Sequence, residues 1–254
     1  MPARRIAPAL AVCGAIAAVG ALVLTGCAPD GSADEPSVAA TGTSDSGGAS
    51  ESGDAIAGTA ARAAVPASTG GLVVTIGDSI MAGLGLDSDE AWPALLARGT
   101  GADIVNLSCS GAGFTIVGDC GDDYSGLVDR AISLRPDTVI VQSSDNDADG
   151  SEDEIAEATH AAIDQLRAAL PDARLIGIGT LWHLDWDEPD AIGWSSDALQ
   201  SAVDADGGVF VSIGQPLRGR PELLQWDGEH PNAQGQVVLC DAVEAAFDDD
   251  GIVL

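Results

Sequence analysis

Leu72-Val73-Val74-Thr75-Ile76-Gly77-Asp78-Ser79-Ile80 decides the fold of this chain. A β-branched apolar run stops at a glycine, and a serine stands just past the stop. Such a run reads as a buried strand. In a parallel α/β domain, a strand of this kind delivers the next side chains to the carboxyl edge of the sheet, where sites form. Ser79 at that edge is either a helix cap or a nucleophile, and the choice depends on what else reaches the same edge.

From Leu72 onward, strand-like runs alternate with helical patterns, the signature of a parallel α/β sheet. Strands are expected at 72–76, 103–107, 138–142, 174–178 and 208–212. Helices are expected near 79–84, 90–97, 126–133, 152–170, 196–204 and 233–247. The fold class is therefore α/β, a three-layer α/β/α sandwich with a five-stranded parallel sheet of flavodoxin-like type. Residues 71–254 make one domain, long enough to bury a substantial core.

The chain ahead of that domain reads differently. In 1–27, Arg4 and Arg5 precede an uninterrupted apolar run from Ala9 to Leu24. That order is an export signal, and the run is short for a spanning helix. Its end, Leu24-Thr25-Gly26-Cys27, resembles the lipobox of bacterial lipoproteins. The resemblance implies cleavage before Cys27, lipidation of its thiol and a membrane anchor of two or three acyl chains, enough for stable attachment. Residues 28–70 contain no aromatic side chain and are rich in Ala, Gly, Ser, Thr and Asp. Such a segment buries too little surface to fold and is expected to be a disordered tether. The expected location is the extracytoplasmic face of the cell membrane.

The charge is lopsided: ten arginines, no lysine and forty acids give a formal net charge of −30. That surface repels phosphate backbones and excludes nucleic acid as a partner.

Four loops at the expected strand ends carry unusual chemistry: Gly77-Asp78-Ser79, Ser108-Cys109-Ser110-Gly111-Ala112-Gly113, Ser143-Ser144-Asp145-Asn146-Asp147, and Asp227-Gly228-Glu229-His230-Pro231-Asn232. In this order they resemble the four blocks of the GDSL/SGNH hydrolases, a family of serine esterases and lipases. The resemblance spans essentially the whole domain. It implies that Ser79 is the nucleophile, that Asp227 and His230 complete a triad, and that Gly111 and Asn146 help bind the oxyanion. The family's third block normally reads Gly-x-Asn-Asp. Here Ser144 replaces the glycine and an acid, Asp145, fills the variable position, which puts the backbone geometry of that loop at issue.

The residue types suit the chemistry. A serine hydroxyl needs a base within hydrogen-bond reach and a partner that fixes the base's tautomer. One turn of chain brings Asp227 and His230 together. Pro231 turns His230 away from helical geometry, and Asn232 is a good cap for the next helix. Read alone, His230 is a surface histidine beside an acidic turn; the other three blocks make it the base. His160 falls inside a long helix and reads as structural. A tetrahedral intermediate needs preorganised donors, and a helix starting at Ser79 would add that residue's own N–H.

Asp145-Asn146-Asp147-Ala148-Asp149-Gly150 also matches the start of an EF-hand calcium loop. The match fails at its twelfth position, Ala156, and a strand rather than a helix precedes it. Ser151 and Glu154 read better as a capping box for the next helix. No metal and no cofactor are expected. Cys109 and Cys120 flank the Gly111 loop, and export permits a disulfide between them; Cys240, in the last helix, reads as a buried free thiol. Trp182, Trp186 and Trp194 fall after the fourth strand, and Trp226 precedes Asp227. Trp182, Trp226 and His183 are the expected substrate contacts.

The reading is an exported, lipid-anchored serine esterase acting on short acyl esters, O-acetyl groups among them, of a small molecule or glycan. Two alternatives stay open: a non-catalytic glycan-binding lipoprotein on the same scaffold, and an acyltransferase.

Overall fold

All five expected strands form. The computed structural model describes residues 70–254; the 1–27 leader with Cys27 and the 28–70 tether, save its last residue, lie outside them. The strands are β1 (Val73–Ile76), β2 (Ile104–Asn106), β3 (Thr138–Gln142), β4 (Arg174–Ile178) and β5 (Val209–Val211). The helices are α1 (Ser79–Ala82), α2 (Trp92–Thr100), α3 (Tyr124–Leu134), α4 (Glu152–Ala169), α5 (Asp190–Ala205) and α6 (Ala233–Asp249). Every strand pair is parallel, in the order β2-β1-β3-β4-β5.

The apolar runs are continuous because the inner strands are covered on both faces. Val74, Ile76, Val139 and Val141 face a core shared with α3, α4 and α5. Val73, Ile140, Ile176 and Ile178 face the opposite core, built with α1, α2 and α6. Trp92, Tyr124, Leu96 and Leu127 are among the large side chains wholly buried there, each contributing about 2–3 kcal/mol by leaving water.

Two helices differ from expectation. α1 is a single turn, because Gly83 takes a left-handed conformation at φ 73° and ends it. α5 begins at Asp190, six residues before the expected start. Gly193 and Ser195 are weak helix formers, but Ala191, Ile192 and Ser195 are buried on that turn; tertiary packing overrides propensity. The capping box on α4 is present, with Ser151 and Glu154 each accepting from the other's backbone N–H.

Strand order reverses between β1 and β3, so the loops leaving those strands diverge and open a crevice at the carboxyl edge. Gly77–Ser79 and Ser143–Asp147 are those loops. Buried Gln236 on α6 holds the nearby elements in register: its Oε1 accepts from Trp92 N at 2.8 Å and its Nε2 donates to Ile80 O at 2.8 Å.

Candidate active site

Ser79 stands at the mouth of that crevice. Asp78 caps the single-turn helix, its Oδ1 accepting from Ile80 N at 2.9 Å. Ser79 is thus the first helical residue, a position whose N–H has no intrahelical partner. The hydroxyl therefore issues from a strand end, on a residue that is nine-tenths buried.

His230 reaches it from a short hairpin. Leu224 bridges Pro231, and Gln225 N donates to His230 O at 2.7 Å. Gly228 makes the turn at φ 73°, a left-handed conformation open to glycine without strain. Asp227 Oδ1 accepts the backbone N–H groups of Glu229 and His230 at 3.0 and 3.1 Å. Its Oδ2 lies 2.9 Å from His230 Nδ1. The Glu229 backbone N–H, with help from the His230 side chain and backbone, pulls the Asp227 pKa down to about 2. An ionised carboxylate only accepts, so Nδ1 carries the imidazole proton. Nε2 is left as an acceptor, 3.0 Å from Ser79 Oγ. Asn232 caps α6 by accepting from Gly235 N at 3.0 Å, which fixes where the hairpin ends.

Opposite His230 lies the loop after β2. Gly111 has φ 75°, so its backbone, rather than space for a substrate, demands glycine there. The backbone N–H groups of Ser79 and Gly111 have no partner among the described residues. Asn146 Nδ2 donates one hydrogen to Ala112 O at 3.0 Å, which leaves its second N–H. Cys109 and Cys120 are disulfide-bonded, with Cα atoms 6.0 Å apart, and bracket this loop. Cys240 is a buried free thiol, pushed up to about 12 chiefly by burial.

Asp147, which the motif reading passed over, braces the same loop. It is fully buried and accepts from Phe114 N, Thr115 N and Thr115 Oγ1 at 2.7 to 2.9 Å. The calcium-loop match dissolves into this arrangement: residues Asp145–Asp149 form a 3-10 turn with Asp147 turned inward. Ser144 has φ −116° and ψ 147°, ordinary extended backbone, so the missing glycine costs the loop nothing.

Asp145, on the loop after β3, lies within electrostatic reach of His230. Burial, then the charges of Asp78 and Glu229, push its pKa up to about 7. The unfolded chain ionises near 3.8, so between those values the native state holds the extra proton and stability falls as pH rises through that window. Asp145→Asn is therefore expected to stabilise the protein at pH 8 by about 2–4 kcal/mol, several degrees in melting temperature, and to change nothing near pH 4. Thermal melts of both proteins at the two pH values check this; an equal difference at both pH values contradicts it.

Against the turn between Asp227 and His230 opens a cavity of about 350 Å³ lined in part by His183, Asp185, Trp186, Arg220 and Gly228. His183, an expected substrate contact, is in this wall. Burial lowers its pKa, and its buried Nδ1 has no partner among the described residues. The other two expected contacts are placed differently. Trp182 is buried beneath the loop, donating its indole N–H to Trp186 O at 3.1 Å. Trp226 is 97% exposed and stands in solvent. Trp186 lines the cavity in their place. Trp194 packs beside Ile155, Ala191 and Ala198. His160 is in α4, away from these loops.

Among proteins of known kind, residues 75–238 match the GDSL-like lipase/acylhydrolase family. The chain is 32% identical over 186 residues to GDSL lipase Rv0518 of Mycobacterium tuberculosis, covering 67% of this chain and 79% of that one. Among solved structures, the esterase EstA from Pseudoalteromonas sp. superposes with a TM-score of 0.55 at 19% identity, covering 70% of this chain and 97% of that one. A family two carbohydrate esterase from Clostridium thermocellum, in complex with cellohexaose, gives 0.56 at 18% identity, covering 70% and 64%. At such identities these two structures establish the shared fold.

Proposed function

This chain belongs to the GDSL-like lipase/acylhydrolase family and is a carboxylic ester hydrolase; from that premise we propose that it removes short acyl groups, acetyl foremost, from alcohols outside the cytoplasm through Ser79, His230 and Asp227. The observation that carries the triad is the unbroken relay from Asp227 Oδ2 through His230 to Ser79 Oγ, at 2.9 and 3.0 Å.

In this mechanism Ser79 Oγ attacks the ester carbonyl carbon while His230 Nε2 takes its proton. Asp227 holds Nδ1–H and stabilises the imidazolium. The carbonyl oxygen becomes an oxyanion, met by the N–H groups of Ser79 and Gly111 and the second Asn146 N–H. Because α1 is one turn long, the Ser79 N–H itself, more than a helix dipole, supplies the favourable charge there. Collapse breaks the bond to the alcohol oxygen, which takes the proton from His230. Water then attacks the acyl-enzyme by the same route and frees the acid.

The modest cavity against the turn between Asp227 and His230 supports a small group on the alcohol side of the ester. Trp186, 62% exposed at its wall, supports a sugar as the alcohol, since a pyranose ring stacks on an aromatic face; the fold shared with a carbohydrate esterase agrees with it. The basic, apolar, Cys27 order of the leader supports export and a lipid anchor, which the intact mass of the membrane-extracted protein tests: an unmodified Cys27 ends that part of the reading.

Nitrophenyl esters from acetyl to dodecanoyl, assayed on the full chain in detergent, size the acyl pocket. The expected result is a kcat/KM that peaks at two to four carbons and drops at least about tenfold by twelve, each lost or clashing methylene being worth about 1 kcal/mol or more. A maximum at dodecanoyl would overturn the short-acyl assignment.

A further inference from the structure

Past Ile76 and Val141 the ladder between β1 and β3 ends, and the two loops that carry Ser79 and Asn146 separate into the crevice. One side-chain contact crosses that gap at its base. Ser144 Oγ donates to Asp78 Oδ2 at 2.7 Å, and the same oxygen accepts from Asn146 N at 3.0 Å. Asp78 Oδ1 in turn accepts from Ile80 N, beside Ser79. The chain of contacts therefore runs from the backbone of Asn146 to the turn of Ser79. A hydroxyl has one hydrogen to give, and the neighbouring carboxylate takes it. Ser144 is 1% exposed and Asp78 4%, so water does not compete with either bond. Ser195 Oγ adds a contact to Ser144 O at 3.4 Å.

We propose that Ser144 is a positioning residue whose hydroxyl clamps the loop after β3 to the loop after β1, setting where the Asn146 amide stands relative to Ser79 as the oxyanion forms. A glycine, which the family's third block carries here, has no side chain to make this contact; the clamp is a feature of this chain. The inference rests on the reading of Ser79 as nucleophile and Asn146 as oxyanion donor. The effect is confined to the transition state, because the ground-state carbonyl does not yet need the donor at its final distance.

Misplacement by about 1 Å costs on the order of a hundredfold, and loss of a whole oxyanion donor costs about 10²–10³. Ser144→Ala is therefore expected to lower kcat on nitrophenyl acetate about 10- to 100-fold with KM within about threefold. In an Asn146→Ala background the same change is expected to add less than about threefold, because the residue it positions is already gone. A merely structural Ser144 would give losses that multiply. Ser144→Gly is measured alongside, and it takes the place of Ser144→Ala if that variant fails to fold. Full kcat in the folded variants, a loss confined to KM, or multiplicative losses with Asn146→Ala overturns the clamp. Ser79→Ala separates the two claims. Activity persisting in that variant sinks the nucleophile assignment, whereas an inactive Ser79→Ala beside fully active Ser144 variants sinks the clamp alone.

Discussion

Ser79→Ala is expected to lower kcat on nitrophenyl acetate by more than about a thousandfold while leaving the melting temperature within a few degrees. The substitution deletes one oxygen whose polar contact is His230 Nε2 at 3.0 Å. It leaves the Asp78 cap, the short helix and the Ser79 N–H in place. Alanine is a good helix former and fits a site that already excludes water. The cost therefore falls on chemistry, because among the described residues no other hydroxyl contacts His230 Nε2. Residual catalysis of about 10³-fold over water is expected to survive, since the oxyanion donors still polarise the carbonyl. The loss appears in kcat and kcat/KM together, with KM little changed, because the hydroxyl acts in the transition state. Turnover comparable to the parent in the purified variant would show that another residue is the nucleophile.

Most of the architecture was legible because its causes are local. Each strand is a short apolar run, and its neighbours are turn residues or helical patterns, so all five appear within a residue or two of their expected bounds. The same holds for the hairpin of Asp227 and His230, whose contacts span three residues. The start of α5 was not legible, since Gly193 and Ser195 argue against a helix until the surfaces that bury Ala191 and Ile192 are known. The left-handed backbone that Gly111 supplies, at φ 75°, has no local sequence signal beyond the glycine itself.

What stayed hidden in the site was carried by contacts between distant parts of the chain. Asp147 reads as an acid in a polar run, yet it accepts three hydrogen bonds from Phe114 and Thr115, over thirty residues away. Ser144 reads as a departure from a motif and proves to be bonded to Asp78, 66 residues earlier. Gln236 joins α6 to α1 and α2 with no sequence signal at all. The tryptophans illustrate the same limit: composition gathers them near one loop, but only packing decides that Trp182 turns under it while Trp186 faces the cavity.

Asp227→Asn is expected to lower kcat near neutral pH by about 10³- to 10⁴-fold with the hairpin intact. Asp227 performs two tasks with two oxygens. Oδ1 accepts the backbone N–H groups of Glu229 and His230 and so shapes the turn, whereas Oδ2 accepts the imidazole N–H. An asparagine oxygen keeps the first task. Its amide group reverses the second, because an N–H₂ facing Nδ1 is a donor and forces that nitrogen to accept. The proton then moves to Nε2, where it faces Ser79 Oγ and blocks the base from taking the hydroxyl hydrogen. Asp227→Ala removes both tasks and is expected to be as inactive and less well folded, so the pair separates tautomer from turn. The pH dependence has a definite sign. The native pKa of Asp227, about 2, is below its unfolded value of 3.8, so its contribution to stability is present above that value and is lost as pH falls toward 2. Asp227→Asn therefore melts below the parent at pH 6, and the gap narrows toward pH 2. Retention of more than about a tenth of parental kcat by Asp227→Asn would mean that His230 is oriented by another carboxylate. Asp145, whose charge interacts with that of His230, would then be the residue to remove.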